Sequence, residues 1–212
     1  MLTKRSVRQY IRERLSLGRY LHSLRTAKMI GDIIVRLSST ADGRPEARED
    51  LYGIEISEIG ELAGLAHDMA RELPPEGIRN IAEADLFPLL PEEVHNPILL
   101  HGRAAAVLMK TEWGVVDEPL LQAVRWHTTG DVGMGRLGML LFLADYIEPG
   151  REHIDEDFRK RVLDKGKLTD MMMLVLEDQG EHNKKLGRKI SKRTERLITA
   201  LREDRCAVVQ AG

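Results

Sequence analysis

Apolar positions along this chain recur at helical spacing, and the strict alternation of half-buried strands is nearly absent. In RYLHSLRTAKMIGDII, Met29 and Ile33 follow His22 by two and three helical turns, so all three share the face turned to the core. ISEIGELAGLA and MLLFLA are apolar almost throughout, as buried helices are. Met171, Met172 and Met173, with Leu174 and Leu176, read as core packing rather than a cofactor contact. The pattern predicts helices over about 3–16, 19–38, 54–70, 75–84, 98–112, 118–128, 136–147, 168–185 and 190–203.

The boundaries have chemical reasons. Ser39–Asp50 is polar, holds Gly43 and Pro45, and predicts a loop. Pro74-Pro75 stops one helix and can open the next. Gly114 ends a helix, and Asp117 is placed to cap the one that follows, with Glu118 and Pro119 in its first turn. Thr129–Gly135 is a glycine-rich turn, and Pro149-Gly150 closes the apolar helix after it. The fold class is all-α. Residues 1–151 are expected to form the core, and the more charged stretch 152–212 a C-terminal helical extension packed on it.

Composition narrows the function classes. A chain of 212 residues with 42% apolar content can bury a hydrophobic core and is not disordered in composition. A net charge of −2 supplies no global field for nucleic acid or an anionic membrane, so neither is an expected partner. The single cysteine, Cys206, excludes an intrachain disulfide and a cysteine zinc site, which fits a reducing, cytoplasmic setting. No apolar run is long enough to span a bilayer, and the charged N-terminus lacks an apolar signal region. Lys184, Lys185, Arg188, Lys189, Lys192, Arg193 and Arg196 form a basic run, read as a solvated helix face rather than a contact for RNA or an acidic partner. Apolar faces in the same region leave a homodimer open.

The candidate chemistry lies in the histidines. Of seven, His22 faces a core, His67-Asp68 ends an apolar helix, His101 starts one and His127 ends one. Asp145 stands inside MLLFLADYIEP, where a lone buried carboxylate would be very costly. Any one of these, taken alone, is more often a hydrogen-bonded core residue or an ion-pair partner than a ligand. A metal ion would satisfy all of them together, and imidazole with carboxylate suits iron, manganese, zinc or nickel better than magnesium or calcium. His95, His153 and His182 have no motif around them and are expected at the surface.

The order His, His-Asp, His, His, Asp, each on its own helix, resembles the HD-domain metal-dependent phosphohydrolases. RYLHSLRTA, AGLAHDMAR, LLHGRAAA, AVRWHTTG and LFLADYIEPGR are similar to the YqeK-type branch of that family, the symmetrical diadenosine tetraphosphate hydrolases. The resemblance covers residues 15–151 or so, and HTTG and ADYIEPGR are its most specific segments. It implies an HD-domain helical bundle that cleaves diadenosine tetraphosphate, a dinucleoside polyphosphate, to two ADP.

It also implies two divalent or mixed-valence metal ions, with iron first and manganese, nickel or zinc as alternatives. His22, His67, Asp68 and Asp145 would hold one metal, and Asp68, His101 and His127 the other. Asp68 would be the catalytic, bridging ligand of a hydroxide nucleophile, whose parent water has its pKa drawn towards roughly 7. Substrate contacts would come from Arg25, Arg71, Thr128, Thr129, Gly130, Tyr146 and Arg151. Arg71 stands where the family usually has lysine, and arginine offers a bidentate phosphate contact that lysine cannot. Two other functions stay open. One is the same centre acting on another nucleotide or a signalling phosphate ester. The other is a helical interaction protein that keeps a metal site without catalysis.

Overall fold

A computed structural model describes residues 2–40 and 56–203, and among them every regular element is a helix. The predicted loop from residue 41 onward and Cys206 lie outside the described residues. The elements are α1 (Lys4–Arg14), α2 (Leu17–Thr40), α3 (Ile56–Ala66), α4 (Pro75–Ala82), α5 (Pro91–His95), α6 (His101–Trp113), α7 (Glu118–Trp126), α8 (Gly135–Ile147), α9 (Glu156–Leu163), α10 (Leu168–Lys185) and α11 (Lys192–Arg202). Short 3-10 turns, Glu83–Asp85 and Pro97–Leu100, flank α5.

Several ends fall where the side chains dictate. Pro75 opens α4 as its first residue, where a missing N–H is harmless. Asp117 caps α7 by accepting from the Leu120 N–H at 2.9 Å. Gly114 ends α6 at φ +65°. The helix expected over 54–70 stops at Ala66, and residues 67–72 continue as turns. The Gly64 carbonyl, which a continuing helix would offer to the Asp68 N–H, instead accepts from the His67 ring at 2.8 Å.

Two helices have no counterpart in the predicted set. α5 is five residues long, too short to show a period. α9, EDFRKRVL, buries Phe158, Val162 and also Arg159. The Arg159 Nε donates to the Ile147 carbonyl at 2.7 Å, so a charged residue occupies a core-facing position.

The core centres on α8, whose residues Leu137–Ala144, with Tyr146 and Ile147, are all buried. It packs against α2, α3, α7 and α10. Asp145 is the partly exposed exception in its second half. Two close helix contacts bring the histidines together. A Cβ on Gly64 would stand 2.5 Å from the Ala27 Cα, so α3 lies nearly backbone to backbone against α2. A Cβ on Gly102 would stand 2.8 Å from the Val124 carbonyl oxygen, so α6 does the same against α7. His22 and His67 belong to the first contact, His101 and His127 to the second. No helix among the described residues is long and apolar enough to cross a membrane.

Candidate metal centre

Three of the four histidines are set by one local device. Each imidazole sits at a helix end and donates its Nδ1–H to the carbonyl three residues behind it. His67 takes Gly64 at 2.8 Å, His101 takes Ile98 at 2.6 Å, and His127 takes Val124 at 2.8 Å. The Gly64 and Val124 carbonyls lie in the last turns of α3 and α7 and lack full intrahelical pairing, while the Ile98 carbonyl takes the ring in addition to the His101 N–H. The bond fixes the tautomer, and the Nε2 lone pair is left pointing inward. His22 is oriented differently. Its Nδ1 faces the Glu148 Oε1 at 3.0 Å, a carboxylate that is 1% exposed.

The inward nitrogens converge on two carboxylates. His22 Nε2 lies 3.2 Å from His67 Nε2 and 2.9 Å from Asp145 Oδ1. His101 Nε2 lies 3.0 Å from His127 Nε2. Asp68 stands between the pairs. Its Oδ2 is 3.7 Å from His22 Nε2 and 3.6 Å from His67 Nε2. Its Oδ1 is 3.1 Å from His101 Nε2 and 3.8 Å from His127 Nε2. The ligand-type atoms fall into three overlapping groups, His22–His67–Asp68, His67–His127–Asp145 and Asp68–His101–His127, each within 4.8 Å. Lone pairs facing lone pairs at hydrogen-bond distance fit a cation, and the mix of imidazole and carboxylate fits a first-row transition ion.

The electrostatics agree at His67 and His101. Burial pushes the His67 imidazole down to about 3, which keeps it neutral and able to coordinate. Burial lowers His101 as well, against the pull of Asp68. Burial opposes the charge on Asp68, yet the histidines packed around it, His67 first and then His101 and His127, hold it well below the carboxylate range. Burial also opposes the charge on Asp145, which Arg151 and His22 hold down. His22 is pushed down by burial but carried up to about 9 by its hydrogen bonds to Asp145 and Glu148.

A model of the HD domain family matches residues 19–150. The chain belongs to the HD domain family. It is 40% identical over 95 residues to a protein of Bacillus subtilis (strain 168) named symmetrical bis(5'-nucleosyl)-tetraphosphatase, covering 45% of this chain and 50% of that one. It is 34% identical over 146 residues to a protein of the same name from Staphylococcus aureus (strain NCTC 8325 / PS 47), covering 66% and 63%. The matches thus span about half to under two thirds of these relatives. A crystal structure described as a predicted HD superfamily hydrolase involved in NAD metabolism, from Clostridium acetobutylicum, superposes with a TM-score of 0.78 at 29% identity. That superposition covers 96% of this chain and 99% of the other.

Around the histidines of this HD domain, the expected substrate residues divide. Arg71 is half-buried, and its guanidinium has no hydrogen bond or ion pair among the described residues. Arg151 pairs with the Asp145 carboxylate, and its Nε donates to the Asp145 carbonyl at 2.7 Å. Thr128 places its Oγ1 3.2 Å from His101 Nε2 and 3.3 Å from His127 Nε2. Arg25 is committed elsewhere, with Nε 2.5 Å from Glu148 Oε2. Tyr146 donates its hydroxyl to Asp178 at 2.8 Å. Thr129 and Gly130 lie against α11, Thr129 through its carbonyl and Gly130 beside Leu197.

Two residues at the HD centre escape a sequence reading. Arg19 reaches Asp68 Oδ2 with Nη1 at 3.0 Å, and its place one turn before His22 was the available signal. Glu148 holds His22, Arg25 and the Gly150 N–H, the last at 2.6 Å. It lies inside ADYIEPGR, but nothing in its type distinguishes it from a surface glutamate. His153 and His182, expected at the surface, are exposed and partly exposed, and stack on each other with ring centroids 4.8 Å apart.

Proposed function

We propose that this HD domain hydrolyses a dinucleoside polyphosphate in a metal-dependent reaction, cleaving diadenosine tetraphosphate symmetrically to two ADP. The observation that carries the reading is the position of Asp68, whose two oxygens face different histidine pairs. A carboxylate so placed suits two cations that share one anionic ligand. His22, His67, Asp68 and Asp145 would hold one, and Asp68, His101 and His127 the other, with iron as the proposed metal. The names of the Bacillus subtilis and Staphylococcus aureus relatives support the substrate. The lone cysteine in the chain goes with a cytoplasmic setting.

Bound cations of this kind supply Lewis-acid chemistry, polarising phosphoryl oxygens and activating water near neutral pH. The rest falls to the chain. Arg71 offers an uncommitted guanidinium beside Asp68, suited to a bidentate grip on a phosphate. Arg19 and Arg151 flank the two carboxylates and add positive charge where phosphoryl charge builds up. Thr128 holds a hydroxyl at the edge of the His101–His127 pair, within reach of a phosphoryl oxygen. Glu148 orients His22 through Nδ1, the nitrogen turned away from the cluster.

The test is product analysis after adding diadenosine tetraphosphate to protein purified without oxygen and loaded with iron. ADP as the sole product, absent with Asp68→Ala, is the expected result. No turnover by the loaded wild type defeats the substrate assignment. A second reading, the same centre acting on another nucleotide, is favoured by the description of the Clostridium acetobutylicum structure. It predicts turnover of mononucleotides or dinucleotides other than diadenosine tetraphosphate in the same assay.

A further inference from the structure

The segment that follows His127 is held from well outside the region the family model matches, which ends at residue 150. α11 begins at Lys192. Most of its polar surface is exposed, yet Arg193, Thr194 and Leu197 are 8%, 3% and 0% exposed. These three meet three consecutive residues of the chain. Thr194 Oγ1 donates to the Thr129 carbonyl at 2.6 Å. Leu197 Cδ2 lies 2.6 Å from where a Cβ on Gly130 would be. Arg193 Nη1 pairs with Asp131 Oδ2 at 3.2 Å, and its guanidinium carbon sits 4.5 Å over the Trp126 ring. Both flanks of His127-Thr128 are therefore gripped by one helix.

The other side of that helix is anchored too. Arg193 Nε pairs with Glu93 Oε1 at 3.3 Å, and Nη2 donates to the Pro88 carbonyl at 3.1 Å. Ser191 Oγ and the Lys192 N–H both reach Glu92 Oε1, at 3.2 and 2.9 Å. Glu93 in turn receives Arg103 Nη1 at 3.2 Å, and Arg103 lies two residues past His101 on α6. α11 thus ties the 129–131 segment to the buried frame that carries His101. Arg193 is accordingly no part of the solvated basic face expected for this stretch.

The grip has a physical purpose. Past the end of α7 the chain leaves the helix, and its carbonyls lack intrahelical partners. Gly130 turns at φ +66° and donates its N–H to the Trp126 carbonyl at 2.8 Å. The Thr129 carbonyl needs a donor because its residue is buried. Thr194 is that donor. Through the turn it sets the place of the Thr128 hydroxyl and the His127 imidazole relative to His101.

We infer that α11 is a working part of the metal centre, with Thr194 a positioning residue that, aided by Leu197 and Arg193, holds the His127-Thr128 turn in register with His101. The inference rests on the reading of His101 and His127 as metal ligands and adds a residue that contacts neither metal nor substrate.

The test compares the full-length wild type with Thr194→Val, which keeps the shape and loses the donor, and Thr194→Ser, which keeps the donor. Co²⁺ alone is titrated and its visible absorption recorded, since the band reports ligand geometry without any substrate. kcat and KM for diadenosine tetraphosphate and thermal unfolding are measured on the same samples. Thr194→Val is expected to unfold cooperatively and to bind Co²⁺ on the order of 10-fold more weakly, with an altered band, the scale seen when a ligand's outer support is lost. kcat should fall with little change in KM, and Thr194→Ser should restore band, affinity and kcat. If Thr194→Val does not fold, Leu197→Val, which loosens the contact on Gly130, gives the same readout. A wild-type band and affinity in the valine variant overturns the inference, and so does an equal loss in the serine variant. Wild type that binds Co²⁺ but does not turn over the dinucleotide defeats only the substrate reading. Wild type that takes up no Co²⁺ overturns both.

Discussion

His101 and His127 present their Nε2 atoms to each other at 3.0 Å, while each commits its Nδ1 to a carbonyl of its own segment, Ile98 at 2.6 Å and Val124 at 2.8 Å. With the proton on Nδ1 in both rings, two lone pairs meet across that gap. A cation relieves the repulsion and gains two ligands at once. Metal should therefore bind the folded chain and not the unfolded one. At a free concentration of about 100 Kd the stabilisation is roughly 2.7 kcal/mol. For a chain of this size that raises the unfolding midpoint by about 5–10 °C. Scanning the protein in EDTA and in saturating Mn²⁺ checks this, and identical midpoints would count against a metal centre.

The same pair depends on Gly102. A Cβ there would lie 2.8 Å from the Val124 carbonyl oxygen and 2.9 Å from His127 Nδ1, closer than real Cβ contacts allow. Gly102→Ala must therefore push α6 from α7 and shift His127 against His101. The expected outcome is a stability loss of about 1–3 kcal/mol, as for other overpacked cores, together with weaker metal binding. Gly31 is the control. It lies in α2 with open space where its Cβ would stand, so Gly31→Ala should gain about 0.5–1 kcal/mol. Denaturant midpoints separate the two, and a neutral Gly102→Ala would refute the close-contact argument.

Much of this was legible in the sequence, and the limits are instructive. That His22, His67, Asp68, His101, His127 and Asp145 come together could be read only from their order and apolar surroundings taken jointly and from the resemblance these carry, since each alone reads as an ordinary core residue. Asp117 and Pro75 marked helix starts because capping is local chemistry. Arg193 could not be read. Its burial comes from Glu93 and Asp131, far away in the chain, and a run of lysines and arginines around it looks uniformly solvated. α9 was hidden for a related reason, since Arg159 fills a core-facing place through a backbone carbonyl. Thr194 is an ordinary helix threonine until the fold brings the Thr129 carbonyl to it.

Glu148 is nearly inaccessible and serves three donors, with His22 Nδ1 at 3.0 Å, Arg25 Nε at 2.5 Å and the Gly150 N–H at 2.6 Å. Its charge raises the basicity of His22 and fixes the ring. Glu148→Gln keeps the volume but weakens that hold, so metal affinity should fall about 10- to 100-fold. Glu148→Ala removes the acceptor altogether and should also destabilise the fold by on the order of 2–4 kcal/mol, less than for a fully buried pair because Arg25 keeps access to water. Calorimetric metal titration of both variants is the check. Wild-type affinity in the glutamine variant would show that Glu148 supports the fold and not the centre.

Three groups mark out the pH dependence of stability, with the depressed Asp68, Asp145 and His101 adding to its acid limb, and it is best measured in EDTA so that protons and not metals occupy the nitrogens. His67 is depressed by burial from 6.5 to about 3, so the unfolded chain binds the extra proton between those values and stability must rise with pH across that window. Glu148 falls from 4.5 to about 2, against the effect of burial, because His22, Arg25 and the Gly150 N–H stabilise its charge. Its contribution is present above 4.5 and is lost as pH falls towards 2. His22 has the opposite sign. Burial lowers it, but Asp145 and Glu148 carry it from 6.5 to about 9, so its contribution is full below 6.5 and disappears as pH rises through 9. The EDTA-treated protein should therefore be most stable near pH 6.5 and weaken on both sides. With Mn²⁺ present the alkaline limb should vanish, since His22 then gives its nitrogen to the cation and metal binding strengthens as the proton leaves. Denaturant midpoints taken across this range, with and without Mn²⁺, decide it. A metal-stripped protein whose stability stays flat from pH 6.5 to 9 would show that His22 is not held protonated by its two carboxylates.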